Sequence, residues 1–396
     1  MRFVMTNIFP LFLLVVYPLG SLISIGINFF IGEKKVIYIA LFMGIVGYNF
    51  IPNIEMDLQR HWDLYSIVQK FDFDKLLDYL KDQKDYFLVI LMYIFSKFNL
   101  NHSSINGFFV FSTYFIFLKN FLNIISHDNK KIFIKMLLIV FLYISLIDSV
   151  SGLRTMLSLA CVLYGYNNIY CKDKTKEGLF FLLLATTIHV MSSVFLVPLV
   201  FVRFVNNSKI YKVIFFMSFL FYFIPLDEIF VSKIFSIVPF LKRFEEHILN
   251  YLSGQWNGDF LKNYNQNGLI VMYGRKISGF WIGCIYLITT LRLTKLSKIG
   301  KITLLVFSFT NMLTFSFVMK ERYEYICIFL ALFYFFENYN FSKFNKIFLN
   351  IFLIVAILNC FFTNYPYRET YSDSYKNFYK QSIFSTINDK KIVGAE

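Results

Sequence analysis

The sequence predicts an all-α, polytopic membrane bundle of about 10 to 12 spanning helices, and three observations carry that reading. Hydrophobic residues make up 57% of the 396 residues and charged ones only 16%, with a mean hydropathy of +0.57, against about 25% charged in a soluble domain. The apolar residues fall in runs of about 17 to 25, the length that crosses a hydrocarbon core of roughly 30 Å. The 39 Lys and Arg outnumber the 25 Asp and Glu for a net charge of +14, yet they gather in short clusters between apolar runs. There they set orientation and do not form a nucleic-acid surface. Together these exclude a soluble globular enzyme and describe one polytopic membrane domain over 1–396.

Taken in order, windows of about 19 residues place spans near 8–31, 35–51, 105–125, 132–148, 153–170, 178–202, 212–228, 277–292, 302–319, 322–337 and 346–363. The first run resembles a signal peptide only superficially, being too long and lacking a small-residue cleavage site, and is expected to stay as a span. Basic turns at Lys34-Lys35, Lys130-Lys131, Lys172 to Lys176, Arg292 to Lys301 and Lys343 to Lys346 read as cytoplasmic. The second span then delivers an outer segment, 52–104, rich in acids: Glu55, Asp57, Asp63, Asp72, Asp74, Asp78, Asp82 and Asp85. Within it the apolar stretch from Tyr86 to Phe98 gives about 20 Å of helix at 1.5 Å per residue, too short to span, and reads as re-entrant or interfacial. The run from Gly178 to Phe204 is interrupted by Pro198, and Arg203, Lys209 and Lys212 near and beyond its end belong on the cytoplasmic side; either it is a broken helix that returns inward, which is the favoured expectation, or it spans once against the charge rule. A second large outer loop covers 232–275, and a polar tail covers 364–396.

Charges at the ends of apolar runs are costly enough that each requires a reason. Arg154 follows Asp148-Ser149-Val150-Ser151-Gly152-Leu153 and opens an otherwise uncharged helix containing Ser158, Ala160 and Gly165. A snorkelling interface anchor is one reading; a guanidinium aimed at an anionic ligand is the other, its fork being suited to phosphate. His189 lies inside an apolar run beside Thr186, Thr187, Ser192 and Ser193, as a structural hydrogen bond or as part of a polar pocket that binds or exchanges a proton. Asp57, Arg60, His61, Asp63 and Tyr65 follow the second span at helical spacing, giving a charged and aromatic face that is either solvated or built to hold sugar. Lys320-Glu321-Arg322-Tyr323-Glu324 opens a late span, and Arg243, Arg275 and Trp256 lie in or beside the large outer loop. Arg154, Arg243, Arg275 and Arg322 are more cations than orientation rules place outside, which points to a polyanionic ligand. No P-loop, GxGxxG or HExxH motif is present. Cys161, Cys171, Cys284, Cys327 and Cys360 show neither zinc nor disulfide spacing.

This pattern resembles the Wzy-type O-antigen polymerases and the related EpsG family of exopolysaccharide proteins. The resemblance covers about 30–340. It rests on the outer Asp57, Arg60, Tyr65 segment, on Gly152 and Arg154 opening a helix, on His189 with Ser192, and on Arg322-Tyr323 opening a late span. Those families usually carry Arg-Gln or Arg-Asn where this chain has Arg154-Thr155. The resemblance implies an inner-membrane glycosyltransferase with its active site on the periplasmic face. It would move a glycan from undecaprenyl diphosphate onto another lipid-linked repeat unit. No cofactor or metal is expected. Partners would be that lipid-linked oligosaccharide, membrane lipid, a chain-length regulator and a flippase, and no nucleic acid. Arg154, Arg322, Arg275 and Arg243 would bind diphosphate, and Arg60, His61, Tyr65 and Trp256 sugar. Asp57 would be the general base, with His189 positioning the carrier. An O-antigen ligase or a lipid-linked oligosaccharide flippase are the alternatives.

Overall fold

The computed structural model describes residues 9–19, 21–22, 25, 36–52, 56–83, 85–122, 124–125, 129–223, 280–291, 296–313, 317–340 and 342–375. Every regular element among them is helical, in keeping with the predicted class. Two of these helices, His102–Leu122 and Lys343–Asn364, are long and apolar enough to cross a membrane. Val36–Asn49, Tyr86–Lys97 and Val190–Phe204 are apolar but shorter. The loop expected at 232–275, with Arg243, Trp256 and Arg275, lies outside the described residues.

The chain forms two compact units, Met1–Ser193 with Asn364–Glu396, and Val194–Thr363. In the first, α1 is Phe9–Val16, α2 Val36–Asn49, α3 Asp57–Val68, α4 Phe73–Lys81, α5 Tyr86–Lys97 and α6 His102–Leu122. They are followed by α7, Lys130–Tyr143, α8, Leu146–Ser151, α9, Leu153–Tyr170, and α10, Thr175–Ile188. The centre is α9, buried on nearly all sides as a helix inside a bundle must be. It packs against α10 and α6, and α6 in turn packs along α2.

Small residues make these approaches close. A Cβ on Gly165 of α9 would come within 2.9 Å of the Gly178 carbonyl oxygen in α10 and 2.7 Å of Leu182 Cγ. Gly44 of α2 and Gly107 of α6 face one another in the same way. Close backbone approach through glycine is how helices associate where the surroundings are as apolar as their side chains. Outside this core, α3 rests on α5 and α8, whose ends carry the site.

The apolar run from 178 onward is broken as expected, but at His189 and not at Pro198. α10 stops at Ile188 and His189 is extended (φ −148°, ψ 112°). The chain then turns through a short 3₁₀ segment, Val190–Phe195, into α11, Leu196–Phe204. Pro198 sits in the first turn of α11, where its missing N–H costs no helical hydrogen bond.

In the second unit, α12 (Ser208–Ser218), α13 (Ile282–Thr290), α14 (Lys298–Met312), α15 (Phe317–Glu337) and α16 (Lys343–Asn364) follow α11. α14 packs against α11, α12 and α15, and α13 against α15. Aromatic rings fill this core: Tyr286 is ringed by Tyr334, Phe335, Phe348 and Phe352. Lys320 joins a polar chain within it, in which Lys320 Nζ donates to Tyr222 Oη at 2.8 Å and Tyr222 Oη donates to Asn311 Oδ1 at 3.2 Å. Glu324 lies 3.8 Å from Lys320.

The chain's last described helix, α17 (Arg368–Tyr375), returns to the first unit. Ile51 N–H donates to Ser374 Oγ at 3.0 Å, Ser374 Oγ donates to the Ile51 carbonyl at 3.3 Å, and Tyr375 Oη donates to the Val46 carbonyl at 2.9 Å. Tyr371 and Tyr375 pack on the fully buried Phe50. Carbonyls left over at the end of α2 are thereby satisfied by side chains from the far end of the sequence.

Candidate active site

Three segments remote in sequence converge on one carboxylate. Asp85 stands at the start of α5 but its side chain makes no hydrogen bond to that helix. It reaches away, so that its Oδ2 accepts from Arg154 Nη1 at 2.6 Å and its Oδ1 accepts from the Val190 N–H at 2.8 Å. His189 Nδ1 lies 3.4 Å from the same Oδ2 and has no closer hydrogen-bond partner. Asp85 and His189 are largely covered, at 11% and 13% side-chain exposure, whereas Arg154 keeps 34%. One side of the guanidinium is therefore open.

Local sequence explains each placement. Ser145 caps α8, its Oγ accepting from the Asp148 N–H at 3.3 Å. Gly152 then joins α8 directly to α9 with its N–H donating back to the Asp148 carbonyl at 2.8 Å. A Cβ on Gly152 would lie 2.9 Å from that carbonyl oxygen, so only glycine permits the tight turn. Leu153 goes fully inward and Arg154 enters on the first turn of α9. One turn further, Ser158 Oγ accepts from Ser192 Oγ at 3.0 Å, pinning the 3₁₀ segment to α9 and holding His189 beside Arg154. Thr186 and Thr187 spend their hydroxyls on their own helix, donating to the carbonyls of Leu183 and Leu184.

Electrostatics agree with the geometry. Burial alone pushes the Asp85 carboxyl up, but the neighbouring His189, the Val190 N–H and the Arg154 guanidinium outweigh it and hold it below the usual carboxylate range. His61 on α3 senses the same charges: burial and then Arg154 lower its pKa to about 4, against the opposing pull of Asp57 and Asp85. It stands near the cluster as a neutral imidazole.

Arg154 and His189, both singled out from sequence, thus meet, and the residue that joins them, Asp85, was read only as one of eight outer acids. No local signal marks it: Lys84 precedes it in the sequence as a nearer basic neighbour, and a carboxylate ahead of an apolar helix reads as an ordinary helix cap. The other expected residues occupy different places. Asp57 and Arg60 form an ion pair with each other on the solvent side of α3, at 36% and 68% exposure. Tyr65 is buried and its hydroxyl donates to the Leu100 carbonyl. Trp62, next to His61, packs on His102 with ring centroids 3.9 Å apart. Arg322 belongs to α15 of the second unit. No group of three or more His, Cys, Asp or Glu that could hold a metal ion occurs among the described residues.

The sequence profile of the EpsG family matches residues 35–381. The chain belongs to the EpsG family. Among curated proteins and solved structures, none matches it. Membership points to a polysaccharide polymerase, with glycosyltransferase-type activity in polysaccharide biosynthesis. The matched span of this EpsG-family protein includes Asp85, Arg154 and His189, and its apolar helices fit a membrane protein.

Proposed function

We propose that the protein is a membrane glycosyltransferase that polymerises a polysaccharide from repeat units carried on undecaprenyl diphosphate, working at the periplasmic face of the inner membrane. The observation that carries this reading is the convergence of Arg154 and His189 on Asp85, with the guanidinium left partly open. A diphosphate-linked donor is already activated, so what catalysis requires is charge stabilisation of the leaving group and a base for the acceptor.

In this reading the acceptor hydroxyl oxygen attacks the donor's anomeric carbon while the bond from that carbon to the diphosphate oxygen breaks. The diphosphate departs with the bonding pair against Arg154, and the hydroxyl proton passes to His189. Asp85 faces His189 Nδ1 and leaves Nε2 for the acceptor, the arrangement by which a third group orients a base. The base therefore moves from Asp57 to His189. Asp57 and Arg60, paired and solvated on α3, are better suited to hold sugar hydroxyls, with His61 beside them. Arg243, Arg275 and Arg322 remain proposed diphosphate contacts, Trp256 a proposed sugar contact, and a chain-length regulator and a flippase proposed partners, whereas Tyr65, buried with its hydroxyl on the Leu100 carbonyl, is a packing residue.

The test is turnover of a purified lipid-linked repeat unit by His189→Gln and Asp57→Asn. His189→Gln should lower turnover about 10²-fold or more, the scale of a lost general base, and Asp57→Asn mainly raise KM. If Asp57→Asn is dead and His189→Gln retains near wild-type turnover, the roles are reversed.

A further inference from the structure

The same contacts carry an inference about how the site handles its ligand. Arg154 Nη1, the Val190 N–H and His189 Nδ1 surround a single anionic group, and that group belongs to the protein itself. Asp85 shows two features of a bound ligand and not of a helix cap. It makes no hydrogen bond to the helix it opens. It also lies 69 residues from the arginine it neutralises. Both oxygens are occupied, Oδ1 by the backbone and Oδ2 by Arg154 Nη1 with His189 beside it, so a second anion that engages Nη1 must displace Oδ2, and one that approaches by the guanidinium's open side meets the charge of the carboxylate already paired there.

We propose that Asp85 is an internal stand-in for the substrate's diphosphate: it neutralises Arg154 in the free protein, yields it when the diphosphate binds, and thereafter faces His189 alone. The proposal rests on the reading of Arg154 as the diphosphate contact. Its physical content is a linkage between donor binding and base orientation. While Arg154 holds Oδ2, the carboxylate is shared between guanidinium and imidazole. Once the diphosphate takes the guanidinium, the carboxylate's remaining side-chain partner is the imidazole, which it then orients alone. The base is therefore fully oriented only when a donor is in place, which disfavours unproductive chemistry in its absence. Asp85 acts through Arg154 and His189, as a positioning residue. Holding Oδ1 on the Val190 N–H lets Oδ2 change partner while the carboxylate keeps one fixed point.

The proposal makes a prediction opposite to that for a merely structural ion pair: removing the charge of Asp85 should improve diphosphate binding while harming turnover. The full-length protein in lipid nanodiscs is titrated with inorganic pyrophosphate and, separately, with farnesyl diphosphate, for wild type, Asp85→Asn, Arg154→Ala and the double variant. Asp85→Asn keeps the shape and an oxygen for the Val190 N–H. It should bind both probes about tenfold tighter or more, the range set by losing a competing charge-assisted hydrogen bond, while its turnover falls. Arg154→Ala should lose binding in either background. Tighter binding of farnesyl diphosphate than of pyrophosphate identifies the lipid-linked source, and equal binding shows that the diphosphate alone is read; both fit the stand-in. A thermal melt checks that Asp85→Asn is folded, and Asp85→Glu, which restores the charge, should return probe affinity to the wild-type value. If Asp85→Asn binds no tighter than wild type while Arg154→Ala still loses binding, Asp85 is a structural partner and the stand-in is wrong. If Arg154→Ala binds as wild type does, or neither wild type nor Asp85→Asn binds, the diphosphate site falls and the stand-in with it.

Discussion

Arg154 is the residue on which the functional reading turns, because a guanidinium buried on one side and open on the other must be neutralised by something. Here the partner is Asp85, at 2.6 Å. Arg154→Ala should abolish polymer formation, by about 10²-fold or more if it stabilises the leaving group, with the protein still inserted. Arg154→Lys should recover little, since an ammonium keeps the charge and loses the planar fork. A glycan ladder of normal length from Arg154→Ala would reduce the residue to an interface anchor. His61 gives a test by pH. Its folded pKa of about 4 lies below the ordinary 6.5, so between those values the unfolded chain binds more protons than the folded one. Stability should be complete above pH 6.5 and fall on acidification toward pH 4, by at most about 1.4 kcal/mol per unit. Asp85, also depressed, acts in the same direction at lower pH still. Thermal melts across this range should show the slope, and His61→Gln should flatten its upper part; an unchanged slope in that variant would mean His61 is not buried beside Arg154.

Helices contribute by where they stop. α8 ends at Gly152 and α10 at Ile188, and the two breaks present Arg154 and His189 to the same carboxylate. Ser158 and Ser192 lock them together below it. A third junction, the end of α2, leads into α3 and its Asp57, Arg60 and His61, and it is closed by α17 from the far end of the chain. Ile51→Cys with Ser374→Cys, in a variant lacking the five native cysteines, should form an intramolecular disulfide under mild oxidation, read as a mobility shift without dimer. Failure to form it, with both thiols reactive, would show that α17 does not close on α2.

Across the whole molecule, two compact units are each held by helices that pack through glycine or through aromatic rings. The Lys-rich turns at 130, 172–176 and 292–301, read as cytoplasmic, require 52–104 and 232–275 to share the outer side. α17, joined by hydrogen bonds to the end of α2, is then expected there too. Single cysteines at 82 and 257 should therefore react with a membrane-impermeant maleimide in intact cells. Labelling at either position only after permeabilisation would overturn the orientation.

The sequence alone determined the helical class, the order of apolar runs, the break in the run after 178, the family resemblance and the importance of Arg154 and His189. These properties are written in local patterning: hydropathy over one helix length, and the cost of a charge or imidazole within an apolar stretch. Only the tertiary structure decided that Asp85 joins them, that Tyr65 turns inward to the Leu100 carbonyl, and that Asp57 pairs with Arg60 on the solvent side. A carboxylate's partner is chosen by distance in space, and no local pattern separates Asp85 from the seven other acids of the same segment. What distinguishes it is the meeting of a glycine turn at 152 and a helix break at 189, which the packing of α5, α9 and α10 brings within hydrogen-bond reach of its two oxygens.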